Sequence, residues 1–142
     1  MADRARTALI LDALAARLRE IRIDNGYLTD AGVDVRTEEA KTPPGDAPRI
    51  TLYSGGRVLP HDARSRGERE FTLVVEARIP VALDNVAELA NAIDEDIEKA
   101  LDQYLQQPLA LPLQFEESLF LDRPDGVAEQ VVQQMYSTRY RR

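Results

Sequence analysis

Ile21-Arg22-Ile23-Asp24-Asn25-Gly26-Tyr27-Leu28-Thr29-Asp30-Ala31-Gly32-Val33-Asp34-Val35 divides a helical pattern from an alternating one. Two glycines and three Asx residues fall within nine positions of this stretch, more turn chemistry than one helix-to-strand connection requires. Before it, Ile10, Leu11, Leu14, Leu18 and Ile21 recur at three- and four-residue steps from about Arg4 to Arg22. Arg17, Arg19, Glu20 and Arg22 fall mainly off that stripe, so the spacing predicts a helix with one buried face. Its end is expected near Asn25-Gly26, where glycine relieves left-handed strain.

After it, Val33-Asp34-Val35-Arg36 alternates as a short strand, and Arg49-Ile50-Thr51-Leu52-Tyr53 reads as a second. Phe71, Leu73, Val75, Ala77 and Ile79 alternate with Thr72, Val74, Glu76 and Arg78, a long third strand ended by Pro80. Aperiodic polar segments at 37–48 and 55–69 are expected to be mobile surface loops. The second of these belongs to a long polar hairpin excursion. Asp84 or Asn85 can cap a second helix reaching about Tyr104, with Leu89, Ile93, Ile97 and Leu101 on its buried side. Leu113 to Asp122 and Val127 to Tyr140 are two further strands around the turn Arg123-Pro124-Asp125-Gly126. The order predicts a single α+β domain over 1–142: a mostly antiparallel sheet of about five strands with two helices packed on one face. The long last strand is expected to offer an edge to a neighbour.

The net charge of −7 lies wholly in residues 72–142, which carry six basic against thirteen acidic groups. That balance disfavours a grip on phosphate backbones. The absence of cysteine removes disulfides, thiol catalysis and thiolate metal sites. The N-terminal pattern, broken by Arg17, Arg19 and Glu20, is neither a signal peptide nor a membrane span, so a soluble intracellular protein with no membrane partner is expected.

Chemistry finds little purchase. His61, the one histidine, stands beside Asp62 in a polar loop, and adjacent residues seldom orient each other as a catalytic pair. Glu116 and Glu117 should point to opposite faces of a strand. Asp94-Glu95-Asp96-Ile97-Glu98 has Lys99 where a calcium loop needs glycine, and reads as the solvated face of the second helix. Gly55-Gly56 lacks a following helix to cradle phosphate. No enzyme, cofactor or metal site is expected. The candidate interface residues are Arg57, Arg64, Arg66 and Arg69 of the excursion, suited to an acidic protein neighbour, with Tyr136 and Tyr140 of the last strand.

The first helix with Leu14, Leu18 and Ile21, followed by Asn25-Gly26-Tyr27, Thr29-Asp30, Gly32 and Val35, resembles the N-terminal region of bacteriophage tail terminator (tail completion) proteins of long-tailed phages. The likeness in residues covers about the first 35 positions, and beyond them the order of elements agrees. It implies a virion protein, assembled in the host cytoplasm into a hexameric ring at the head-proximal end of the tail, in the neck. Such a ring caps the major tail tube protein, stops tube polymerisation and docks the head-side connector protein. DNA only passes through. Basic loops on one side and an acidic helix on another would let neighbours meet with opposite charge. The alternatives are another neck or tail-tube component, and a small non-phage ligand-binding domain.

Overall fold

The computed structural model describes residues 4–38, 47–106, 109–121 and 128–141. The first helix, α1, spans Arg6–Leu18 and buries Ile10, Leu11, Leu14, Ala15 and Leu18. It stops a turn earlier than its periodicity suggests. Ile21 is fully buried, and its carbonyl accepts from Gly32 N–H at 3.0 Å, which removes it from any continuing helix. Two short 3-10 turns follow, Ile23–Asn25 and Ala31–Val33. Gly26 is left-handed at φ +90°, but it closes this first 3-10 turn rather than α1, whose end is expected here and falls at Leu18.

Among the described residues five strands form one sheet: β1 (Val35–Arg36), β2 (Arg49–Val58), β3 (Glu68–Pro80), β4 (Gln114–Phe120) and β5 (Glu129–Arg141). Their order is β1-β2-β3-β5-β4, antiparallel throughout except for the short parallel pair β1–β2. The second helix, α2, spans Val86–Leu101 between β3 and β4. Asn85 occupies its N-cap without a side-chain capping bond, and the helix ends at Leu101 rather than Tyr104. Both helices pack on one face of the sheet, as the pattern of β3 requires. Phe71, Leu73, Val75, Ala77 and Ile79 are all fully buried there. Sealing each of the larger ones from water is worth about 1.5–3 kcal/mol.

Two expectations are corrected. Arg57 and the Gly55-Gly56 pair lie in β2, not in a loop, because a bulge at Ser54/Gly56 lets the ladder to β3 resume at Thr72. The excursion therefore shrinks to residues 59–67. The long last strand is not an edge: β5 lies between β3 and β4, and every residue from Glu129 to Arg141 faces a partner on β3. Among the described residues the free edges are β4 and the part of β2 beyond the short β1. Of the expected loop at 37–48, residues 39–46 lie outside the described residues.

Candidate functional site

The arginines expected at an interface stand at one end of the sheet but do different things. Arg57 Nη1 donates to the Tyr140 hydroxyl at 3.2 Å, and this bond raises the guanidinium pKa. Arg69 turns back onto the carbonyls of Arg66 and Glu68 and so braces the β2–β3 turn. Arg64 gives its backbone N–H to Glu68 at 2.8 Å, which leaves its side chain outward. Arg64 and Arg66 have no carboxylate partner among the described residues.

The two tyrosines are not surface groups. Tyr136 is 0% exposed, edge-on to Phe115 at 5.6 Å, with its hydroxyl donating to Gln134. Burial pushes its pKa up, helped by the negative charges of Glu98, Asp102 and Asp94. Tyr140 is buried too, edge-on to Phe71 at 6.5 Å. Both lie on the helix-covered face of β5, so alternation along the strand turned them inward. On the monomer, Tyr136 offers nothing to a partner.

Beside Tyr140 opens a groove of about 960 Å³ that no single sequence motif announces. Its aliphatic wall is Leu105, Leu109, Ala110 and Leu111 from the α2–β4 connector. Its charged rim is Arg6, Asp62, Arg64, Glu68, Arg139 and Arg141. Arg6 reaches across from the start of α1 to the Leu109 carbonyl at 3.3 Å. Arg139 bridges Asp62 at 2.9 Å and Glu68 at 3.3 Å, and its hydrogen bond lowers the Asp62 pKa. Both carboxylates of the rim are thereby matched, whereas Arg64 and Arg141 project without an anion among the described residues.

At the opposite end of α1, the 22–34 segment is held by side chains from elsewhere. Asp96, expected on a solvated helix face, is only 2% exposed. Its carboxylate accepts from Leu28 N–H, Thr29 N–H and the Thr29 hydroxyl at 2.9, 2.8 and 2.7 Å. Lys99 Nζ donates to the Gly26 carbonyl at 2.8 Å and lies 4.8 Å from the Tyr27 ring centroid. Asp30 caps Ile23 N–H at 2.8 Å, folding the segment back on itself. Clamped this way, it still leaves Ile23 58%, Leu28 59% and Val33 66% exposed.

The remaining polar candidates are structural or solvent-facing. His61 is exposed in the 59–67 turn. A bulge between Phe115 and Glu117 breaks the alternation expected there. Glu116 accepts from Ser137 while Glu117 stands opposite Met135, so both glutamates meet one face of β5. Asp94 accepts from Ser118 and Gln134. Away from the helices, Tyr53 donates to Glu76 at 2.8 Å, and Arg49 pairs with Glu129 in a buried ion pair. Burial, and then the Glu76 contact, pushes the Tyr53 pKa up to about 12. Among the described residues no three His, Cys, Asp or Glu side chains gather to hold a metal, and no helix is long and apolar enough to cross a membrane.

No family model matches the chain, and no curated protein matches it in sequence. Solved structures do. A chain in the virion of a native gene transfer agent (GTA) particle superposes with a TM-score of 0.69 at 13% identity, covering 99% of this chain and 100% of that one. Another solved structure, without a functional description, gives a TM-score of 0.53 at 13% identity, covering 92% and 95%. This α+β fold is therefore shared, end to end, with a chain of a gene transfer agent virion particle.

Proposed function

We propose that this chain is a phage or phage-like virion structural protein that terminates the tail tube. It caps the tube's head-proximal end, stops its polymerisation and presents a surface to the head-side connector. The observation that carries the proposal is the reciprocal fold match to a virion chain, at 99% and 100% coverage. A match over both whole chains means that the shared unit is the entire fold rather than a common substructure. The resemblance of residues 1–35 to tail terminators narrows the choice among virion components.

The geometry is compatible with a ring. Head-to-tail contacts need two different surfaces on one subunit, and they close when the rotation suits. The groove beside Tyr140 and the exposed 22–34 segment are two such surfaces. Along α2 and its C-cap the exposed carboxylates Glu88, Glu95, Glu98 and Asp102 make an acidic ridge that DNA would slide past without adhering.

Native mass spectrometry and negative-stain microscopy of the purified protein test this reading. A closed six-membered ring that arrests growth of the tube protein in vitro is the expected result. Open-ended polymers of the chain alone would instead favour a tube-like component.

A further inference from the structure

The 22–34 segment and the groove are complementary in three independent respects. The first is apolarity. Ile23, Leu28 and Val33 are the most exposed large aliphatic side chains of that region, and they ride on a backbone pinned by Asp96, Lys99 and Asp30. A segment ordered in advance loses little entropy on docking, which suits it to present apolar groups. Across the molecule, Leu105 and Leu111 stand 45% and 56% exposed on the groove wall.

The second respect is charge. The segment is net acidic: Asp24 and Asp30 are exposed against Arg22 alone. The groove rim is net basic, and its Arg64 and Arg141 lack carboxylate partners among the described residues. The third is position. Val35 pairs with Ile50, which pairs with Ala77, whereas Arg141 pairs with Glu68. From Ala77 to Glu68 along β3 is about 30 Å at the usual strand rise. The two surfaces thus lie toward opposite ends of the sheet, too far apart to meet within one copy.

We infer that the occupant of the groove is a second copy of this chain. Ile23, Leu28 and Val33 of one subunit seat against Leu105, Leu109 and Leu111 of the next, while Asp24 and Asp30 meet Arg64 and Arg141. The contact is heterologous, with an aliphatic centre and a charged rim. It rests on the ring reading above and specifies which surfaces make the ring.

Two surface variants test it: Ile23→Asp/Leu28→Asp on the segment, and Arg64→Glu/Leu111→Asp in the groove. All four residues are exposed, so circular dichroism and thermal melting should match the wild type. Sedimentation velocity and native mass spectrometry then read assembly. Each variant alone should be monomeric, with association weakened about 30-fold or more per lost anchor. An equimolar mixture retains one intact segment and one intact groove, so it should form a one-to-one dimer and nothing larger.

Closed rings unchanged by both variants would overturn this contact and leave the ring reading standing. A mixture that stays monomeric would overturn it as well. Open polymers dissolved by both variants would support the contact and sink the ring. A wild-type protein that remains monomeric at high concentration would end both.

Discussion

Asp96 and Thr29 are joined by two hydrogen bonds across the interior: Oδ2 of the aspartate accepts the threonine N–H at 2.8 Å and its hydroxyl at 2.7 Å. The other oxygen, Oδ1, takes Leu28 N–H at 2.9 Å. A helix residue thus serves as the cap of a distant irregular segment. Removing it leaves buried donors unpaired, each costing about 1–3 kcal/mol. We expect Asp96→Ala to lower stability by about 3 kcal/mol in urea unfolding, with Asp96→Asn losing less because one acceptor oxygen remains. Hydrogen exchange should quicken at Leu28 and Thr29 before it does in β3. An Asp96→Ala protein as stable as wild type would show that the clamp is dispensable.

Gly32 sits where no side chain fits. A Cβ there would lie 2.6–2.8 Å from the carbonyl oxygens of Leu18, Arg19 and Ile21. These are backbone atoms at the end of α1 and cannot swing aside. Gly32→Ala should therefore cost about 3 kcal/mol, read as a drop in denaturation midpoint at unchanged slope.

Tyr136 separates a hydroxyl from a ring. Tyr136→Phe keeps the packing against Phe115 and loses one hydrogen bond to Gln134, for about 1 kcal/mol. Tyr136→Ala empties a fully buried site and should cost about 3–5 kcal/mol. Any assembly defect of the alanine variant should then track its thermal stability, and the phenylalanine variant should assemble normally. Assembly lost in Tyr136→Phe at near-wild-type stability would contradict its burial.

Tyr53 gives the chain a signature at high pH. Its folded value is raised from 10.0 to about 12, so the neutral phenol is favoured in the native state. The resulting stabilisation is complete below pH 10, fades as pH rises through about 12, and is small because the ring is 37% exposed. In a spectrophotometric titration, Tyr53→Phe should delete one phenolate transition near pH 12. Loss of a transition near pH 10 instead would show that neither burial nor Glu76 holds this hydroxyl neutral.

Periodicity carried much of the architecture. The apolar stripe of α1 and the alternation of β3 name their buried residues directly, because each element packs one regular face. The mostly antiparallel sheet with helices on one side followed from the element order. What stayed hidden depends on contacts between distant positions. Gly55-Gly56 reads locally as a turn, yet pairing with β3 holds it in a bulged strand. Asp96 looks solvated among its acidic neighbours, and only the fold brings Thr29 to it. The groove draws on both ends of the chain, from Arg6 to Arg141, so no window of sequence contains it.

The placement of β5 between β3 and β4 also has a consequence for timing. During synthesis β4 leaves the ribosome before β5, its strand partner among the described residues, exists, and β3 waits with one side of its ladder unfilled. β2 and β3 can already pair as a hairpin, but β4 has no strand to join among the described residues until β5 is inserted as the seam. Arg139 and Arg141, which complete the groove rim, lie near the end of that late strand. A chain made only as far as β4 therefore has no finished groove, because the rim closes only when β5 is threaded between its neighbours.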